Sequence, residues 1–343
     1  MHPKIFAMKS ILGIGNALTD ILAQLPDDSL LKEFHLPLGS MQHVDMTTGD
    51  RIWQRLREIG VQYVAGGSAA NTVTGTAIFG MPSGFIGKVG DDELGHLFHS
   101  DQSQYGIRST LLKGKNSSGR AMVFITGANA ERTFAVYLGA ALELVPEDLT
   151  PEMFQGYDYF HIEGYLVQNH DTCRRAIELA HAAGCIISID MASYNVVESN
   201  SIFLHEMVDK YIDIVFCNES ESKAFTGLEP EAALDEVAKH SKIAIVKLGK
   251  NGSMVKSGDE KYIIPAWPGK AIDATGAGDT YAAGFLYAHS LGMPLKVCGE
   301  IGSIISAKVV EVIGTKIDIP RWRDAKNEIK ALIEANGGIY TEN

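Results

Sequence analysis

Short runs of β-branched and aromatic residues alternate with helical patterns along most of the chain. Helical patterns lie between the later runs, for example at Asp171–Ala183 and Glu231–His240. Strands separated by helices favour a mostly parallel sheet that is covered by helices on both faces. The predicted strands are Ser10–Gly15, Ser83–Val89, Tyr159–Glu163, Cys185–Asp190, Ile214–Cys217 and Ile243–Leu248.

Two segments interrupt this rhythm. Ile21–Val44 is irregular and contains two prolines, whereas Ser118–Tyr137 alternates like a β-hairpin that turns at Gly127–Asn129. We therefore expect a single α/β domain over residues 1–343, in which these two segments form a small β-rich lid.

Composition and charge narrow the classes of function. Of the 343 residues, 42 are acidic and 30 are basic, which gives a formal net charge of −12. This sign argues against a nucleic-acid-binding protein, because a phosphate backbone needs a basic surface. It does not exclude an ATP site, since one nucleotide needs only a local positive field.

We expect the protein to be cytoplasmic. No apolar run approaches the length of a membrane span, about 18 residues, and the first residues do not form a signal peptide. The four cysteines have no CxxC spacing. We expect them to be reduced thiols in the core.

The most informative segment is Ile272–Gly292, where a glycine-rich turn is followed by an acid and a helix of small and apolar residues. Backbone N–H groups at a helix N-terminus attract phosphate, and small residues let the backbone approach it closely. An isolated acid at this place, Asp279, would be better explained as a helix cap. The chain contains neither the GxxxxGK[ST] motif nor a GxGxxG motif after the first strand.

Two motifs, in this order, resemble the signatures of the ribokinase/PfkB family of sugar and nucleoside kinases. The sequence GGSAAN at Gly66–Asn71, followed by FIGKVGDDELG at Phe85–Gly95, is similar to the N-terminal signature. The sequence DATGAGD at Asp273–Asp279 is similar to the C-terminal one, with Ala274 where the family more often has Thr or Ser. The resemblance covers nearly the whole chain and implies a ribokinase-like fold, ATP as phosphate donor and Mg²⁺.

The resemblance also implies catalytic roles. The residue matching Asp279 is the general base that deprotonates the acceptor hydroxyl. The backbone amides matching Gly276, Ala277 and Gly278 form the anion hole that stabilises the transferring phosphoryl group. The enzyme would then be a phosphotransferase with an alcohol group as acceptor.

The resemblance assigns the acceptor to residues from several parts of the chain. Asp20 matches an aspartate that accepts hydrogen bonds from two ring hydroxyls, and Glu163 matches a sugar-binding glutamate that adenosine kinases usually lack. Arg132 is expected to reach the phosphates or the substrate from the edge of the lid. The other acceptor-binding candidates are Asn16, Gly66, Gly67 and Asn71.

The nucleotide and metal ligands are expected at the ends of the later strands. Asn218 and Glu221 match the family NxxE motif, in which the carboxylate holds Mg²⁺ through water. Acidic residues exposed at the start of a helix, without a role in metal binding, would give the same NxxE spacing. Many relatives bind K⁺ with oxygens that match Asp273, Thr275 and the Val309–Gly314 loop. The nucleotide-binding candidates are Asn218, Lys247, Gly249, Gly252 and Thr275, with Lys247 standing where the family often has Thr.

The sequence is compatible with two classes of acceptor, a nucleoside or a free sugar. The spacing of Asn16 and Asp20 is closest to that of adenosine kinases and favours adenosine or another ribonucleoside. The alternative is a free sugar such as ribose or fructose. A non-catalytic nucleotide- or sugar-binding sensor would have lost the base or the glycines, which are present here. The chain is expected to be a monomer or a homodimer.

Overall fold

The structure is a computed structural model that describes residues 8–126 and 131–340. The strands in these residues are β1 (Ile11–Ile14), β2 (Leu18–Gln24), β3 (Met41–His43), β4 (Gln62–Gly66), β5 (Ser83–Val89), β6 (Arg108–Lys113), β7 (Gly119–Thr126), β8 (Glu131–Tyr137), β9 (Tyr159–Glu163), β10 (Ile186–Asp190), β11 (Ile214–Asn218), β12 (Ile243–Lys247), β13 (Ser253–Ser257) and β14 (Glu260–Ile264).

The α-helices alternate with these strands through most of the chain, and short 3₁₀ turns follow β8, β9 and β12. The α-helices are α1 (Ser29–Glu33), α2 (Met46–Ile59), α3 (Ser68–Ile78), α4 (Glu93–Gln104), α5 (His170–Ala182), α6 (Tyr194–Ser199), α7 (Ser201–Lys210), α8 (Glu219–Thr226), α9 (Pro230–His240), α10 (Ala277–Ser290), α11 (Leu295–Val309) and α12 (Ile319–Ala335).

Nine strands form a large sheet in the order β14-β13-β12-β11-β10-β9-β1-β5-β6. The strands from β12 to β6 are parallel, and only β13 and β14 pair antiparallel at one edge. Strands β1, β5 and β9 are buried along their whole length, as expected for a sheet between two layers of helices. The predicted α/β fold is confirmed, and each of the six predicted strands begins and ends within one residue of its expected bounds.

A second sheet of five strands has the order β3-β8-β7-β2-β4. The predicted hairpin is present as β7 and β8, which pair antiparallel; its expected turn at Gly127–Asn129 lies outside the described residues. Segment 21–44 contributes β3 and most of β2. Strand β4, which the sequence analysis did not predict, pairs with β2 and completes the sheet.

Helices α3, α10 and α11 pack unusually closely because they carry glycine at their contacts. A Cβ atom on Gly75 of α3 would lie 2.6 Å from Ala283 Cβ of α10. A Cβ atom on Gly284 of α10 would lie 2.9 Å from the Ile301 carbonyl oxygen of α11. This packing explains the run of small residues after the glycine-rich turn, and it places the first turn of α10 beside the first turn of α3.

Candidate active site

Polar residues follow five neighbouring parallel strands at the point where each strand ends. Asn16 follows β1, and β9, β10, β11 and β12 end in Glu163, Asp190, Asn218 and Lys247. Ligands bind at this edge of open α/β sheets. All five residues line one cavity of about 1060 Å³, together with residues of the glycine-rich turn.

Asp279 lies in the first turn of α10 and is fixed by two side chains of α3. Its Oδ1 accepts a hydrogen bond from Ser68 Oγ at 2.7 Å, and its Oδ2 accepts one from Asn71 Nδ2 at 2.8 Å. Burial raises the pKa of Asp279 to about 6, although these two hydrogen bonds and the Lys247 ammonium oppose the rise. The carboxyl group is therefore mostly ionised at neutral pH and can accept a proton.

The glycine-rich turn presents backbone amides to the same cavity. Gly276 adopts the left-handed conformation, with φ of 73°, and caps α10. Gly276 and Gly278 line the cavity, and the first N–H groups of a helix have no partner within the helix. Ala277 is less suited to the anion hole than expected, because its N–H donates at 3.2 Å to the Ala274 carbonyl oxygen and it does not line the cavity.

The Lys247 ammonium group lies beside this turn. Lys247 Nζ forms an ion pair with Asp190 Oδ2 at 2.5 Å. A Cβ atom on Gly278 would lie 2.9 Å from Lys247 Nζ. Burial would lower the pKa of Lys247, but the carboxylates of Asp190 and Glu221 raise it above its usual range. A fixed positive charge therefore lies next to the expected position of the phosphate.

Asn218 and Glu221 form a reciprocal cap at the start of α8. Asn218 Oδ1 accepts from the Glu221 N–H at 2.9 Å, and Glu221 accepts from the Asn218 N–H and Nδ2 at 2.8 and 2.7 Å. Glu221 is 2% exposed, so it is not an exposed acidic helix start. Burial and the Asp190 carboxylate raise the pKa of Glu221 to about 7.

The donors at this place fit a hydrated Mg²⁺ that arrives with a nucleotide. Each oxygen of Glu221 accepts one hydrogen bond and keeps further acceptor capacity, and Asp190 supplies a second carboxylate in the same cavity. Mg²⁺ commonly uses one or two carboxylates, several waters and phosphate oxygens. No cluster of three or more His, Cys, Asp or Glu side chains suited to a metal occurs in the described part of the chain.

Glu163 is buried and holds the turn after β1. Its Oε1 accepts from the Asn16 N–H and Nδ2 at 2.8 and 2.6 Å, and its Oε2 accepts from the Ala69 N–H at 3.2 Å. Burial raises the pKa of Glu163 to about 7. Since Asn16 Nδ2 donates to Glu163, the orientation of the Asn16 amide is fixed at the cavity wall.

Asp20 lies on β2 against the first glycine of the N-terminal signature. A Cβ atom on Gly66 would collide with the Asp20 carboxylate, and one on Gly67, where φ is 97°, would collide with the Asn16 carbonyl oxygen. Burial and the Asp279 charge raise the pKa of Asp20 to about 7, while Arg132 opposes the rise. The two glycines thus leave room for the Asp20 carboxylate and for the backbone of the turn after β1.

One face of the second sheet forms a wall of the cavity. The residues on this face are two apart along each strand: Leu18 and Asp20 of β2, Met41 and His43 of β3, and Phe134 and Val136 of β8. The opposite face packs on α1 and α2. The wall therefore combines one carboxylate with aromatic and aliphatic side chains.

Arg132 does not line the cavity but binds the glycine-rich turn from β8. Its Nη1 donates to Thr275 Oγ1 at 2.9 Å, and its Nη2 lies 2.5 Å from Asp273 Oδ2. The expected K⁺ position at Asp273 is not supported, because a guanidinium group already neutralises this carboxylate. Arg132 thus faces the glycine-rich turn, and its expected contact with substrate or phosphate stays a prediction.

Most of the site residues expected from the sequence meet in the one cavity. Five of the expected residues do not line this cavity: Gly66, Gly252, Ala277, Arg132 and Asp273. A Cβ atom on Gly252 would collide with the Ile264 carbonyl oxygen, so this glycine serves backbone packing. Ser68 and Asp190 were not among the site residues predicted from the sequence. Asp190 ends a predicted buried strand, as Glu163 does. An acidic residue at the end of such a strand is the sequence feature that could have identified Asp190.

The fold and site define a kinase: a carboxylate held at a glycine-rich helix start, a fixed lysine beside it, and a second carboxylate, Asp20, in the same cavity. Residues 44–322 match the pfkB family carbohydrate kinase domain. The chain belongs to this family, whose members are phosphotransferases that act on hydroxyl groups of sugars or nucleosides.

Its relatives include both sugar and nucleoside kinases. The structure of a probable sugar kinase from Rhizobium etli has a TM-score of 0.84 at 29% identity and covers 96% of this chain and 100% of its own. The structure of adenosine kinase from Sinorhizobium meliloti has a TM-score of 0.83 at 33% identity and covers 94% and 100%. The 5-dehydro-2-deoxygluconokinase of Clostridium perfringens is 29% identical over 289 residues, which are 79% of this chain and 86% of that enzyme.

In residues 8–126 and 131–340, no helix is both long and apolar enough to cross a membrane. All four cysteines are buried and free, as expected for core thiols.

Proposed function

We propose that this kinase transfers the γ-phosphoryl group of ATP to a primary hydroxyl of a nucleoside, with adenosine as the favoured acceptor. It acts in the cytoplasm, and the second sheet serves as a lid over the acceptor. Asp279 is the general base, and the glycine-rich turn is the anion hole.

The acceptor end of the site is arranged to hold a ribose. Asp20 accepts hydrogen bonds from vicinal hydroxyls, and Asn16 and Asn71 supply amide groups beside it. Asn71 also donates to Asp279 at 2.8 Å, which places the base next to the bound sugar. Glu163 acts on the acceptor through Asn16, because both its oxygens accept N–H groups of the protein. The backbone of Gly66 and Gly67 leaves the space that these side chains need.

The phosphate end supplies positive charge from fixed groups. The N–H groups of Gly276 and Gly278 and the Lys247 ammonium face the transferring phosphoryl group, and preorganised donors of this kind stabilise developing charge strongly. Asn218, Gly249 and Thr275 line the same end and contact the nucleotide, while Gly252 keeps the nucleotide turn tightly folded. Glu221 would hold Mg²⁺ through water, and the bound ion would neutralise phosphate charge.

The observation that favours a nucleoside is the composition of the lid wall. Asp20 shares one sheet face with Phe134, Val136 and Met41, so an apolar surface continues from the hydroxyl-binding carboxylate. A free sugar would leave this surface without a partner, whereas a nucleobase would cover it. The apolar lining continues into Leu138, Leu142, Tyr165 and Leu166.

A sugar acceptor such as ribose or fructose is the second candidate. The observation that favours it is the buried Glu163, which matches a sugar-binding residue, together with the similarity to a 5-dehydro-2-deoxygluconokinase. A sensor without turnover is disfavoured, since the base and the anion-hole glycines are all present.

A panel of acceptors tests the proposal: ADP formation from ATP and Mg²⁺ is measured with adenosine, inosine, cytidine, ribose, fructose and fructose 6-phosphate. We expect the highest kcat/KM with adenosine. A kcat/KM for ribose or fructose equal to or above that for adenosine would reject the nucleoside assignment.

A matched pair of variants tests the lid wall. Phe134→Leu removes an aromatic ring from the cavity face, and Phe124→Leu makes the same change on the opposite face of the sheet. Loss of an aromatic contact worth about 1 kcal/mol should raise the KM for adenosine roughly fivefold in Phe134→Leu. Phe124→Leu should instead lower stability and leave this KM unchanged.

A further inference from the structure

Arg132 joins the second sheet to the glycine-rich turn through two buried contacts. It extends from β8 to Thr275 Oγ1 at 2.9 Å and to Asp273 Oδ2 at 2.5 Å. The side chains of Arg132 and Asp273 are only 8% and 4% exposed. An ion pair this deeply buried is screened little by salt, and its geometry is set by the protein.

Both oxygens of the Asp273 carboxylate are bound by donors of the protein. Its Oδ1 accepts from the Thr275 N–H at 3.0 Å, and its Oδ2 accepts from the Gly314 N–H at 2.8 Å as well as facing Arg132. One carboxylate thus ties together the glycine-rich turn, the loop before α12 and the second sheet. Gly276, which caps α10, follows Thr275 directly.

A monovalent cation does not fit beside this group. A buried carboxylate requires one compensating positive charge, and the guanidinium already supplies it. Arginine cannot be deprotonated in proteins, so the charge is permanent. A K⁺ ion near Asp273 and Thr275 would meet an adjacent positive charge, and it would also have to compete with two backbone N–H groups for the carboxylate oxygens.

We infer that Arg132 takes the place of a monovalent cation, so that this kinase works without K⁺. Arg132 is a positioning residue: by neutralising Asp273 and binding Thr275 it fixes the turn whose amides face the phosphate. Because Arg132 lies on the second sheet, the same contact couples the position of that sheet to the order of the anion hole.

The first test compares wild-type protein in KCl and in tetramethylammonium chloride at equal ionic strength. The thermal midpoint is measured without substrate, and the rate of ADP formation is measured with the best acceptor. We expect both quantities to be the same in the two salts. A midpoint or a rate that is specifically higher in KCl would overturn the inference, since a bound ion stabilises the state that binds it.

The second test removes the guanidinium with Arg132→Gln. In tetramethylammonium chloride the thermal midpoint should fall, and KCl should restore part of it because an ion of the same charge can then enter beside Asp273. A midpoint unchanged in both salts, or a loss that KCl does not restore, would contradict the inference. Arg55→Gln, an exposed residue on α2, is the control and should respond identically to both salts.

A double variant keeps the inference testable if Arg132→Gln does not fold. Arg132→Gln with Asp273→Asn removes both charges and leaves no buried charge without a partner. We expect this variant to be more stable than Arg132→Gln and insensitive to K⁺. A double variant that is no more stable than the single one would show that charge neutralisation is not the role of Arg132. The midpoints need no acceptor, so they stand apart from the outcome of the acceptor panel.

Discussion

Ser68 Oγ donates a hydrogen bond to Asp279 Oδ1 at 2.7 Å, across 211 positions of the sequence. Ser68 belongs to the N-terminal signature and Asp279 to the C-terminal one. The close packing of α3 against α10, through Gly75 and Ala283, makes this contact possible. The two signatures therefore form a single unit, in which one helix start supplies the base and the other holds it.

Removing this hydrogen bond should change the pH dependence of the reaction. The bond from Ser68 lowers the pKa of Asp279, which burial has raised to about 6, so Ser68→Ala should raise that pKa further. Because the base acts only when ionised, the acid limb of the kcat profile should move to higher pH. The loss of activity should be larger at low pH than at high pH.

The measurement is kcat at saturating ATP and acceptor over a range of pH values. Ser290→Ala serves as the matched control, since Ser290 lies at the other end of α10 and donates to the Tyr287 carbonyl oxygen. An acid limb that stays in place in Ser68→Ala would show that another group, such as Asp20 or Glu163, controls the profile.

The sequence predicted those parts of the fold and site that depend on a local pattern of residues. The buried strands and the glycine-rich turn were predicted because periodicity and small residues are local properties. Strand β4 was not predicted, because its pairing with β2 is a long-range property of a short segment. The ion pair of Arg132 with Asp273 could not be predicted for the same reason, because the two residues are 141 positions apart. The sequence around Arg132 is also compatible with a surface arginine.

Asp20→Ala should affect the acceptor and leave ATP almost unchanged. Loss of a charged acceptor of hydrogen bonds, worth about 1.5–3 kcal/mol each, should raise the acceptor KM by roughly 10–100-fold. The measurement is a pair of titrations, with acceptor varied at saturating ATP and the reverse. If the KM for ATP rises instead, the acceptor and nucleotide ends of the site are exchanged.

Glu221→Gln should weaken the dependence on Mg²⁺ without disturbing the helix start. The amide oxygen of glutamine can still accept from the Asn218 N–H and keep the reciprocal cap, but its Nε2 cannot accept from Asn218 Nδ2, so the thermal midpoint should fall slightly. Loss of the charge should raise the Mg²⁺ concentration needed for half-maximal activity, because a carboxylate is what holds the hydrated ion. Glu219→Gln, two residues earlier in the first turn of α8 and exposed, is the control. An unchanged metal titration in Glu221→Gln would reduce Glu221 to a structural cap.

The second sheet should become more protected from hydrogen exchange when the acceptor binds. Closure over the site excludes water and prevents wasteful hydrolysis of ATP. Peptides covering β2, β3 and β8 should exchange more slowly with adenosine and change less with ATP alone. Peptides covering β9, in the buried centre of the large sheet, are the internal reference. Equal exchange with and without acceptor would mean that the second sheet is fixed structure.

The most direct test of the account is a single-turnover measurement of phosphoryl transfer with Asp279→Asn. Loss of a general base should lower the rate of transfer by about 10²–10⁴-fold, while binding of the acceptor, measured by calorimetry, should remain close to that of the wild type. This result would establish Asp279 as the group that activates the hydroxyl. A variant that transfers phosphate at nearly the wild-type rate would contradict the account and leave Asp279 as the cap of α10.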